Sequence, residues 1–128
     1  MRDIQAMRER YVRFPAPTRM GHLASNLLRL SHWVRVRPDD AAIIDLMREI
    51  ASMMEWIPEF ASEELADMQR EICHWRSIWP LEPARSLLAF RARRMSDRVL
   101  ELSGLLEKEA VREDAQRSVP NVRQAPSR

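Results

Sequence analysis

The sequence predicts an all-α fold: an up-down-up-down four-helix bundle with a short N-terminal helical arm and a disordered C-terminal tail. Three observations lead there. Apolar residues recur in alternating steps of three and four along four successive segments, the period of helices packed side by side. Prolines at 15, 17, 38, 58, 80 and 83 separate those segments. The junctions are only a few residues long, which makes consecutive helices antiparallel. A chain of 128 residues is enough for one continuous core.

In the arm, residues 1–17, Ile4, Met7, Tyr11 and Phe14 fall at helical spacing. The bundle proper spans residues 18–113. Its first helix, Thr18 to Arg35, carries Met20, Leu23, Leu27, Leu30 and Val34 on one stripe, with Thr18 as its cap. The second, Asp39 to Ile57, carries Ile43, Met47, Ile50, Met54 and Ile57. Asp39 and Asp40 favour its N-terminus and Pro58 ends it. The third, Ser62 to Trp79, carries Leu65, Met68, Ile72, Trp75 and Trp79 behind a Ser62 N-cap, and Pro80 closes it.

The fourth helix starts near Pro83 and carries Leu88, Ala92, Met95, Val99, Leu102 and Leu106 toward Arg112, which makes it the longest. Matching levels places Met20 beside Val99, so this helix overshoots the bundle by about three turns. The arm is expected to cover that overhang along Leu102, Leu105 and Leu106, or else to reach a second subunit. Residues 114–128 turn to Ser, Pro, Asn, Gln and Arg without a stripe, the pattern of an unpacked tail.

Composition removes several function classes. Cys73 is the single cysteine, so neither an internal disulfide framework nor a paired-cysteine zinc site can form, and a cytoplasmic setting is expected. The charged N-terminal stretch has no signal-peptide core, and no long apolar run suits a membrane span. With only Gly21 and Gly104, neither a dinucleotide fingerprint nor a P-loop can be built. Glu71 and His74 have the Glu-x-x-His spacing of carboxylate metal sites. The motif occurs once and His74 points off the stripe, so a solvated pair is expected, and no metal or cofactor. Cys73 and His74 are adjacent on a helix and do not face each other, so they form no nucleophile pair. No enzyme is predicted.

Charge is the more informative signal. All but one of the 21 basic residues are arginine, and the net charge is +2. Pro38 to Trp79 holds ten acidic and three basic residues, whereas Thr18 to Arg37 holds four arginines and no acid. Arg91, Arg94 and Arg98, with Arg93 beside them and Arg29 and Arg35 on the first helix, form a strip suited to phosphates. Alternatively, these arginines pair with the acidic helices of the same or a neighbouring molecule. Trp75 and Trp79 belong to the core. Trp33, Leu46, Met53, Trp56, Leu87 and Phe90 fall off the stripes, and exposed apolar surface of that extent meets a partner.

The run from Gly21 to Arg29, the pair Glu55-Trp56, and the run from Met68 to Trp75 together resemble a group of small uncharacterised bacterial helical proteins, best represented in cyanobacteria. The likeness spans Arg19 to Trp79. It implies a helical bundle and, since that group has no established activity, carries over no catalytic residue. The reading is a non-enzymatic, cytoplasmic interaction protein that self-associates, a dimer first, through exposed apolar helix faces. The alternative is a nucleic-acid-binding accessory protein using the arginine strip. Asn26, Arg29, Trp33, Arg91 and Arg94, with Leu87 and Phe90, are the expected contact residues.

Overall fold

The computed structural model describes residues 3–36, 39–57 and 62–104, and all regular structure among them is helical. Helix α1, Ile4–Tyr11, is capped by Asp3, whose Oδ1 accepts from the backbone N–H of Gln5 and Ala6 at 3.0 and 3.3 Å. Helix α2 runs Ala16–Val36 and begins two residues earlier than expected, because the Arg19 N–H already bonds the Pro15 carbonyl. Thr18 therefore sits inside the helix and does not cap it.

Helices α3, Asp40–Glu55, and α4, Glu63–Ile78, have the anticipated caps: Asp39 accepts from Ala42 N–H, and Ser62 from Leu65 N–H. Pro83 lies in a short 3-10 turn, Glu82–Ala84, ahead of α5, Arg85–Ser103. No helix among the described residues is long and apolar enough to cross a membrane.

The stripes are where the pattern placed them. Met20, Leu23, Leu27, Leu30 and Val34 of α2 are fully buried, as are Ile43, Met47 and Ile50 of α3, and Ile72, Leu88 and Val99. Trp75 and Trp79 are buried and keep their indole N–H groups satisfied on Glu71 and Asp40, at 3.2 and 3.0 Å. Helices α2 and α5 approach closely because small residues face each other: Ala24 and Ser31 on one, Ala89, Ala92 and Ser96 on the other, all buried. Two hydroxyls fix their register across the seam, Ser31 donating to the Ala89 carbonyl and Ser96 to the Ala24 carbonyl, both at 2.7 Å.

Three expectations are corrected. The fourth helix does not extend to Arg112: α5 ends at Ser103, and Gly104 adopts the left-handed conformation, φ 73°, that glycine reaches without a Cβ penalty. Among the described residues the longest helix is α2, with 21 residues against 19 for α5, and they contain no three-turn overhang. Leu105, Leu106 and the expected tail lie outside the described residues.

The arm packs within its own chain, against the start of α2 and the end of α3. There Tyr11 meets Trp56 at a ring-centroid distance of 5.7 Å. Finally, Leu46, Met53 and Trp56 are buried, because α3 is covered by α2, α4 and α1 together and needs a wide apolar face.

Arg19 fastens this end of the molecule. It is 7% exposed, and its Nε donates to the Phe14 carbonyl at 2.9 Å while Nη1 donates to the Trp56 carbonyl at 2.6 Å. Its own carbonyl accepts the Tyr11 hydroxyl at 2.7 Å. Burial pushes that phenol far above its usual pKa, against the lowering pull of the Arg19 charge, so Tyr11 stays a neutral donor. Replacing Arg19 by Met leaves two inward-facing carbonyls without their charged donor. The expected outcome is a loss of about 3 kcal/mol in thermal or urea unfolding, with faster amide exchange in α1 than in α4. Uniform loosening of all the helices would contradict the clamp.

Candidate functional site

The arginines divide into two populations. Of those facing the acidic helices, Arg85, Arg91 and Arg98 are paired, while Arg94 makes no ion pair among the described residues. Arg91 grips Glu71 with two bonds, Nη2 to Oε1 at 2.6 Å and Nε to Oε2 at 2.9 Å. Arg98 holds Glu64 through Nε at 2.6 Å and reaches Glu101 at 2.7 Å. Arg85 donates to Asp40 at 2.7 Å and to Glu82 at 2.8 Å, and its guanidinium lies 4.9 Å from the centre of the Trp79 ring. Glu71, half of the Glu-x-x-His spacing, uses one oxygen for Arg91 alone and shares the other between Arg91 and Trp75, while His74 and Cys73 are exposed.

On the opposite side, a furrow follows the outer face of α2. It opens at a cleft of about 710 Å³ between α1 and α2, where Arg10 and Arg13 of the arm region face Arg29 across a floor that includes Met7 and Met53. Phe14 and His22 form one wall, edge to face at 4.9 Å. Ser25 and Arg29 border this cleft and the next hollow, about 470 Å³, which adds Leu28, His32, Arg35 and Arg93. Arg35 and Arg93 border a third, about 360 Å³, beside Phe90 and Ser86.

The three hollows thus adjoin one another through shared walls, and among the described residues no carboxylate lines any of them. From Ser25 to Arg35 alone the track covers ~15 Å of helix. Arg10, Arg13, Arg29, Arg35 and Arg93 make no ion pair among the described residues, and Asp97, one turn beyond Arg93, pairs with none of them.

The expected contact residues are accordingly spread over separate surfaces. Asn26 and Arg29 meet in the arm cleft. Phe90 lies at the far end of the furrow. Arg91 and Arg94 face α4 instead, in a shallow groove with Glu64, Asp67 and Glu71. Trp33 is half-buried against the core, and Leu87 is 53% exposed.

Sequence reasoning did not reach Arg10, Arg13, His22 and His32. The arm's helical spacing was visible, but which helices it lies against depends on Arg19 and Trp56, two residues that no periodicity joins. Comparison of the chain with family models, with curated proteins and with solved structures finds no match.

The hydrogen bonds from Arg91 hold the Glu71 carboxyl below its ordinary value of 4.5, with partial burial opposing and the Trp75 bond assisting. The folded chain therefore keeps this carboxylate ionised more readily than the unfolded one. Its stabilisation is fully present above pH 4.5 and is lost as pH falls through the depressed folded value. Glu71→Gln should cost about 1 kcal/mol at neutral pH, discounted for the exposure of Arg91. The melting curves of variant and wild type should converge under acid; a gap that persists there would show that the pair does not set the acid sensitivity.

Proposed function

We propose that the protein is a non-enzymatic accessory protein that binds single-stranded nucleic acid along the α2 furrow, on an up-down-up-down four-helix bundle. The observation that carries the reading is the division of the arginines. Carboxylates of α3, α4 and α5 neutralise Arg85, Arg91 and Arg98, whereas the furrow presents five arginines without a carboxylate in its lining among the described residues. Guanidiniums spaced along a groove hold a phosphodiester backbone, and Phe14 and Phe90, 43% and 59% exposed, provide faces for unstacked bases. The bundle topology is supported by hydrogen bonds in antiparallel order, Asp40 with Trp79 and Ala51 with Gln69 between α3 and α4, and Ala24 with Ser96 and Ser31 with Ala89 between α2 and α5. A reducing compartment, the cytoplasm, suits the exposed Cys73.

Self-association is the second reading, on narrower support than the sequence suggested, since Leu46, Met53 and Trp56 are core residues. It rests on Leu87 and Phe90 of α5, together with Val36 and Leu81 near the same end of the bundle, all at least 40% exposed. Under this reading Leu87→Glu with Phe90→Glu splits a dimer in light scattering without lowering the melting temperature. A wild type that is monomeric at high concentration rules it out.

For the leading reading, purified nuclease-treated protein should bind a fluorescent mixed-sequence RNA, and binding should fall steeply between two salt concentrations. Arg29→Gln, Arg35→Gln and Arg93→Gln together should reduce the salt slope by about 2, because each phosphate neutralised on a single strand accounts for roughly 0.7 of it. Arg91→Gln with Arg98→Gln should change it little. An absence of binding at low salt, or equal effects of the two sets, would refute the furrow.

A further inference from the structure

We propose that the arm cleft is a binding pocket for a single planar aromatic anion of nucleotide size, adenosine monophosphate being the member its chemistry fits best. The proposal does not depend on the polymer reading, because it concerns one end of the furrow and a ligand too small to reach Arg35 or Arg93.

The cleft is built by two helical faces. Met7 and Tyr11, one turn apart on α1, and Phe14 beyond them meet His22, Asn26 and Arg29, which follow one another at steps of four and three on α2. Its volume of about 710 Å³ lies within the range of small-molecule clefts, roughly 300–1,000 Å³. The thioethers and rings offer a polarisable apolar surface for a flat heterocycle. Arg10, Arg13 and Arg29 supply more positive charge than a monocarboxylate can use and match a phosphate dianion.

Asn26 selects within that class. Its Nδ2 donates to the Met53 sulfur at 3.0 Å, and a thioether is a weak acceptor. The amide oxygen has no partner among the described residues, although the side chain is half-buried. An amide oxygen so placed accepts from an exocyclic amine, and its remaining N–H can donate to a ring nitrogen. That is the pattern of the adenine N6–N7 edge. A fatty acid of similar size leaves the amide unsatisfied and two guanidiniums unmatched.

The test is isothermal titration of the full chain with AMP, adenosine, inorganic phosphate and decanoate in turn. AMP is expected to bind saturably at one site per chain, with adenosine and phosphate each at least tenfold weaker. Arg13→Gln and Asn26→Ala should each weaken AMP at least fivefold, with unchanged circular dichroism, since Arg13 makes no side-chain bond among the described residues and Asn26 only the weak one to the Met53 sulfur. Arg93→Gln should leave AMP binding unchanged. Decanoate tighter than AMP, phosphate as tight as AMP, or no saturable AMP binding would each overturn the assignment. RNA binding abolished by Arg35→Gln and Arg93→Gln while AMP binding persists would separate the two proposals; salt-sensitive RNA binding by the wild type without saturable AMP binding would retain the furrow and remove the pocket.

Discussion

The buried guanidinium of Arg19 is the constraint on which this end of the molecule depends. One side chain reaches the last carbonyl of the arm turn and the carbonyl beyond the end of α3, while its own backbone oxygen receives the Tyr11 hydroxyl. A buried cation is tolerated only when its donors are satisfied, and here the acceptors are main-chain oxygens at the ends of helices, where partial negative charge accumulates. The same contact therefore satisfies helix-end carbonyls and sets where the arm lies. Without it Met7, Tyr11 and Trp56 would have no common wall, and the cleft that opens between α1 and α2 would have only one side.

The distribution of charge follows from the packing order. Acidic α3 and α4 and basic α2 and α5 arise from a division already present in the sequence. Where α5 passes α4 and the start of α3, arginine and carboxylate lie within reach and pair. Among the described residues, no acidic helix lies beside the outer face of α2. Its arginines, with those contributed by the arm and Arg93, stay together on one side of a molecule whose net charge is only +2. The local excess matters more than the total: a focused positive groove attracts anions that a small net charge would not.

Much of the fold was legible in the sequence because burial on a helix is periodic. All the stripe residues that fall among the described positions of α2, α3 and α4 are buried, and the Asp39 and Ser62 caps stand where the pattern put them. What failed had one cause: periodicity ignores single residues that stop or attach an element. The apolar stripe continued past Gly104, but a glycine in the left-handed conformation ended α5. Leu46, Met53 and Trp56 looked superfluous for one bundle face because nothing in the spacing shows where the arm docks, and the arm is what covers Met53 and Trp56. For the same reason Asn26 and Arg29 were legible as neighbours, while Arg10 and Arg13, which complete their cleft, were not.

The hydroxyl-locked seam between α2 and α5 has a bearing on how the chain reaches this state. Ser31 and Ala89 are 58 residues apart in sequence, and Ala24 and Ser96 are 72 apart, so the tightest helix pair is also the least local. Bringing ends that far apart together costs ~4 kcal/mol of chain entropy before the interface returns anything. The α3–α4 hairpin, joined by a short connection, meets no such obstacle. The topology thus places the larger entropic demand on the α2–α5 pair, whose two distant helices must meet in a register that small side chains permit.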